Sequence, residues 1–176
     1  MATGQESMVQ PAQISKQKIE ELAEQFAQVV GYQPGGDLRE IIENKLGGEL
    51  KYADASEWFN TEDGSIKVRA RKDFTITLAN FTGPLRNRFT IAHELGHYVI
   101  HSRMGEVPIE APRKGRSVAE RQADAFAAAF LMPKEQFLTF FDSMGENPDL
   151  ELIAGHFRVS KSAANYRAQE FGHTID

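Results

Sequence analysis

The sequence has no cysteine, which removes disulfides, thiolate nucleophiles and cysteine-type zinc or iron–sulfur sites together. Any metal must therefore rest on His, Asp or Glu. No apolar run approaches the length of about 18 residues that marks a membrane span. The N-terminal stretch also lacks the basic start and apolar core of a secretory signal. Both absences argue against export or membrane insertion, and the cytoplasm is the expected location. Basic residues are in the minority, 20 Lys and Arg against 25 Asp and Glu, giving a net charge of -5. A nucleic-acid binder needs a basic face to displace phosphate counterions, so direct nucleic-acid binding is disfavoured. A local basic patch is still available, since Arg113, Lys114 and Arg116 lie close together. Repeats and low-complexity stretches are absent.

What is present is an ordinary globular composition, 41% hydrophobic with twelve Phe in 176 residues, enough for one compact domain, or a core with a small appendage. Residues 1–13 are polar and aperiodic and read as a disordered tail. Ile19, Leu22, Ala23, Phe26, Val29 and Val30 recur at helical spacing up to Gly31. A shorter helix follows from an Asp37 cap to Leu46. The period then changes, and Glu49–Tyr52, Ser65–Arg69 and Phe74–Ala79 read as strands of a small, mostly antiparallel sheet. Helical spacing resumes after Pro84 and holds to about Ser102. Residues 103–117 read as a long loop, functional or mobile by its length. Further helices are expected over Val118–Leu131, from Pro133 through Phe141, from Asp149 to Phe157, and from a Ser160 cap to Phe171. The fold class is α+β, with a main domain over residues 14–133 and a C-terminal helical extension over 134–176.

The chemistry concentrates at His93-Glu94-Leu95-Gly96-His97, an H-E-x-x-H inside an expected helix. Residues four apart share a helix face, so both imidazoles converge on one point and clamp a metal. Glu94, rotated about 100° from His93, borders the open side of that metal and is placed to take a proton from water there. A catalytic zinc needs a third protein ligand, and the helix after the loop offers Glu120 and Asp124, again four apart. Glu120 is assigned to the metal. Asp124 is assigned to the outer sphere, accepting the free ring N–H of a ligand histidine, with Asp124 as ligand in place of Glu120 the alternative. His101 continues the 93, 97 series but has drifted about 80° around the helix and lies about 12 Å along it, too far to share the metal. One Zn2+ per chain is the expected cofactor, although manganese or iron also suit such donors.

Zinc with an adjacent carboxylate is the chemistry of peptide hydrolysis, with Glu94 moving a proton from water to the leaving amine. An extended substrate can pair with a strand, and Phe74–Ala79 is nominated for that role. Tyr98, His101, His156, Tyr166 and Arg167 are candidate stabilisers of the developing oxyanion, among which sequence does not choose.

Arg88-Phe89-Thr90-Ile91-Ala92-His93-Glu94-Leu95-Gly96-His97, followed by Glu120-Arg121-Gln122-Ala123-Asp124 and Ala125 to Pro133, resembles the ImmA/IrrE family of zinc metallopeptidases. The resemblance runs from about Leu38 to Phe171 and is weakest after Pro133. Phe130 departs from it, standing where the family often has leucine. It implies a zincin-like, gluzincin-type core, with zinc on His93, His97 and Glu120 and Glu94 as the catalytic base. It also implies a substrate class, helix-turn-helix transcriptional repressors, whose cleavage induces mobile elements or stress genes.

The last two expected helices read like a helix-turn-helix, with Lys161, Asn165 and Arg167 on the would-be recognition helix. The plainer reading packs them on the core or against a protein partner. A rival to the enzyme is a non-catalytic zinc-containing regulator that binds a partner or DNA through these helices, and another is a scaffold or antitoxin-like partner. Glu94 favours the enzyme, because a purely structural zinc site gains nothing from it. The oligomeric state leaves no trace in the sequence.

Overall fold

The computed structural model describes residues 9–54, 63–112 and 115–175. Arg113 and Lys114, two of the three residues of the basic cluster, lie outside them. Seven helices and one four-stranded sheet are formed by the described residues.

Helix α1 (Lys16–Val30) starts where the Ser15 hydroxyl accepts from Lys18 N, and it buries Ile19, Ala23, Phe26, Ala27 and Val30 along one face. The short α2 begins at Leu38, under an Asp37 cap, and widens at once into a π-type turn over Ile41–Lys45. Strands β1 (Glu49–Tyr52), β2 (Gly64–Ala70) and β3 (Asp73–Leu78) follow. Then come α3 (Pro84–Gly96), β4 (Ile109–Pro112), α4 (Val118–Leu131), α5 (Lys134–Asp142), α6 (Leu150–Phe157) and α7 (Lys161–Glu170). Helix α3 runs on through a second π-type turn over His97–His101. No helix among the described residues is long and apolar enough to cross a membrane.

The strand order is β1-β3-β2-β4, with β1 parallel to β3 and the other pairs antiparallel. Registered neighbours Leu50, Ile76, Ile66 and Ala111 form one buried rung across all four strands. Alternate residues such as Lys51, Thr75 and Lys67 are not buried. One apolar face and one wet face is the condition for helices to layer on a single side. Helix α3 lies there, with the Tyr98 ring 4.4 Å from that of Phe74. Behind it α4 packs against α1 through Phe26, Phe126 and Phe130.

Three expectations change. The segment 103–117 is not all loop, because Ile109–Pro112 pairs with β2. Phe74–Ala79 cannot accept a substrate strand, since β3 is hydrogen-bonded on both sides; a peptide can add only along the outer edge of β1 or β4. Residues 9–13, expected within a disordered tail, are docked: Val9 and Ala12 pack on the core, and the Ala12 backbone is hydrogen-bonded to Gln122.

The C-terminal helices wrap a Phe cluster in which Phe137 meets Phe157 at 5.4 Å and Phe171 at 5.7 Å. Arg167, read from sequence as a DNA-contacting residue, is 1% exposed. Its guanidinium binds Glu20, Glu170 and the Met132 carbonyl, so it holds α7 to α1 and cannot reach a base. Arg88, also buried, bonds the Tyr32 hydroxyl and the carbonyls of Gly36 and Arg158. It thereby ties the start of α3 to the turn between α6 and α7.

Candidate metal centre

Helices α3 and α4 present the chemistry, and their crossing is set by two small residues. A methyl group built at Gly96 would stand 3.1 Å from Ala123 Cα, Ala123 O and Phe126 Cβ, tighter than ordinary contact. Glycine therefore lets the two backbones approach closely enough for side chains on one helix to reach those on the other.

Across that contact His93 and His97 face Glu120. His93 Nε2 lies 2.7 Å from Glu120 Oε2, and His97 Nε2 lies 3.1 Å from Glu120 Oε1. The imidazole centroids are 4.9 Å apart at an interplanar angle of 80°. His93, Glu94 and His97 each offer a ligand atom within 4.8 Å of the others, and all three are buried. Buried His93 Nε2 has no hydrogen-bond partner in spite of its short approach to Glu120. A ring nitrogen and a carboxylate that meet without hydrogen-bond alignment are arranged toward a common third point. Two imidazoles and a carboxylate also form the donor set that suits zinc. The residues present therefore fit a metal ion.

The outer sphere orients the rings. Asp124 Oδ1 is 2.7 Å from His93 Nδ1, placing the proton on Nδ1 and leaving Nε2 for the centre. Asp124 is thus on the far side of the His93 ring from Glu120, which separates their roles: the carboxylate that reaches both Nε2 atoms is Glu120's. Ser117 caps α4 by accepting from Glu120 N at 3.2 Å. The Ser117-x-x-Glu120 spacing would also suit a reciprocal capping box, yet the Glu120 carboxylate is turned toward the histidines.

Charge follows this geometry. Burial works against a charged His93, but its hydrogen bond to Asp124 and the nearby Glu120 carboxylate prevail and raise its pKa to about 9. Burial lowers that of His97. Burial disfavours the Glu120 carboxylate, yet its close approach to the His93 and His97 rings holds its pKa down at about 2. His101 is pushed to about 4, chiefly by burial.

The other expected residues go elsewhere. His101 contacts His97 through Nδ1 at 2.9 Å, behind the ligand ring. Tyr98 is buried against Phe74, and His156 stacks on Phe140 at 4.0 Å. Tyr166 is exposed on a groove of about 940 Å³ bordered also by Leu85, Phe89 and Asp124. Gln122, unremarked in the sequence beside its charged neighbours, is buried and bonded to His101.

No curated protein matches the chain. Among solved structures, a Mycobacterium tuberculosis transcriptional regulator shares the fold with a TM-score of 0.60 at 19% identity. The match covers 87% of this chain and 46% of that one, so the chain spans about half the length of the regulator. The family model for the IrrE N-terminal-like domain, an M78 peptidase family, matches residues 57–169. With that match over most of its length and a buried His-Glu-His group able to hold a metal, the chain belongs to the IrrE N-terminal-like M78 peptidase family.

Proposed function

We propose that this protein is a zinc-dependent endopeptidase that cleaves a helix-turn-helix transcriptional repressor. The observation that carries the reading is the meeting of His93 Nε2, His97 Nε2 and the Glu120 carboxylate, with Glu94 buried beside them. His93, His97 and Glu120 would hold the ion. When bound, zinc supplies Lewis acidity, polarising a carbonyl and making water a better proton donor.

The remaining work falls to the chain's own residues. Glu94 is fully buried, and a carboxylate removed from water is poised to accept a proton from the attacking water and return it to the departing amine. Asp124 holds the His93 ring in one tautomer throughout. Membership of an M78 peptidase family supports peptide hydrolysis. The repressor substrate is supported by the likeness to ImmA/IrrE proteins and by the structural neighbour, a transcriptional regulator. Burial of Arg167 weighs against the rival in which α7 reads DNA.

The test compares cells producing the wild type with cells producing Glu94→Gln, by labelling new protein N-termini. New termini inside a helix-turn-helix repressor, seen only with the wild type, are expected. A metal-loaded wild type that generates no new termini would overturn the peptidase reading, and cleavage of unrelated proteins alone would overturn the choice of substrate.

A further inference from the structure

Behind the candidate metal centre lies a chain of hydrogen bonds that ends on the backbone before α1. His97 Nδ1 is 2.9 Å from His101 Nδ1. His101 Nε2 is 3.0 Å from Gln122 Oε1. Gln122 in turn makes a two-point clasp on Ala12, accepting from Ala12 N at 3.0 Å and donating from Nε2 to Ala12 O at 2.8 Å.

With a neutral His101 ring, one arrangement of protons satisfies all four contacts. A peptide N–H can only donate and a peptide carbonyl can only accept, so Ala12 fixes which end of the Gln122 amide is oxygen. That oxygen must then accept from His101 Nε2–H. The neutral His101 ring consequently has a bare Nδ1, which must accept from His97 Nδ1–H. His97 is left with a lone pair on Nε2, directed at Glu120 Oε1, another acceptor 3.1 Å away. Two acceptors at that distance are satisfied by a cation between them. His93 is oriented through a carboxylate, Asp124, whereas His97 is oriented through a neutral relay whose polarity originates in the main chain at residue 12.

We infer that His101 and Gln122 are positioning residues for the metal centre, and that docking of residues 9–13 sets the tautomer of His97 and with it the affinity for the ion. The inference rests on the proposed role of His97 as a ligand. Because coupling between two equilibria is reciprocal, metal binding must tighten the docked segment by the same factor. A partner that drew residues 9–13 away would loosen the centre without touching it.

The test titrates Zn2+ against a chromophoric chelator and follows backbone hydrogen exchange with and without the ion. The full-length wild type is compared with His101→Phe, Gln122→Leu, Gln122→Glu and Ala12→Pro. Removal of an outer-sphere partner weakens metal binding by roughly 10- to 100-fold, and His101→Phe and Gln122→Leu are expected in that range. Gln122→Glu keeps an acceptor for His101 and is expected to retain most of the affinity, a rescue that a merely space-filling role would not give. Ala12→Pro deletes the terminal donor at a half-buried position and should weaken binding even if a core variant fails to fold. Zn2+ should slow exchange at residues 9–13 in the wild type and not in Gln122→Leu. Unchanged affinity in Ala12→Pro and Gln122→Leu, with no metal-dependent protection at 9–13, would overturn the relay while leaving the peptidase reading intact. A wild type that binds no Zn2+ would overturn both.

Discussion

Metal uptake by this protein should expel one proton per ion at neutral pH, and the proton should come from His93. In the metal-free protein Asp124 and Glu120 hold His93 protonated up to a pKa of about 9, while its Nε2 is the atom the ion needs. Burial keeps His97 below the ordinary imidazole value, so it is already neutral. Glu120, at about 2, is already ionised. Between pH 9 and 7 the apparent affinity should therefore fall about tenfold per unit, roughly 100-fold across the window. Titration calorimetry at pH 7.5 in two buffers of contrasting ionisation enthalpy reads the stoichiometry directly. A slope near one proton per ion is expected, and a slope of zero would refute the protonation scheme. Stability of the metal-free form moves the other way. Since His93 is raised from 6.5 to about 9, its ion pairs stabilise the fold fully below pH 6.5 and are lost as pH rises through 9. That contribution is on the order of 3 kcal/mol. Glu120, lowered from 4.5 to about 2, contributes above pH 4.5 and loses its contribution as pH falls through 2. Metal should thus raise the melting temperature more at pH 8.5 than at pH 6.5, measured as the difference between ion-loaded and chelated samples.

Other perturbations separate the roles of the site residues. Glu94→Gln should bind zinc with near wild-type affinity and lose hydrolysis, so an active Glu94→Gln protein would remove Glu94 from the chemistry. Asp124→Ala should weaken metal affinity roughly 10- to 100-fold, and an unchanged chelator titration would reduce Asp124 to a surface charge. Gly96→Val forces branched carbon into a space where a Cβ already stands 3.1 Å from Ala123 and Phe126. It should cost about 1–3 kcal/mol in urea unfolding and lower metal affinity as the helices separate; wild-type values for both would mean that their close approach is unimportant.

Local pattern carried much of this molecule into view. The alanine-rich periodicity stopped by Pro133 placed α4 at Val118–Leu131, where it is found. The i,i+4 spacings put His93 beside His97 and Glu120 beside Asp124, and the structure separates the last two by the ring nitrogens they reach. The readings that changed depend on partners distant in sequence. Strand β4 is four residues that follow one proline and end on another, and it becomes a strand only because β2 offers an edge. Arg167 looks like a surface cation until Glu20, from the other end of the chain, is folded against it. Residues 9–13 are polar and aperiodic, and what docks them is a glutamine 110 positions away. His101 reads from the sequence as a too-distant ligand or an oxyanion stabiliser, because its orienting contact to His97 involves ring nitrogens that helical spacing alone does not place.

The central claim is that His93, His97 and Glu120 hold a metal ion. Elemental mass spectrometry of the purified wild type beside His97→Ala tests it most directly. About one zinc per chain in the wild type, lost in His97→Ala, is the expected result. No metal in either protein after zinc is supplied, or equal metal in both, would contradict it.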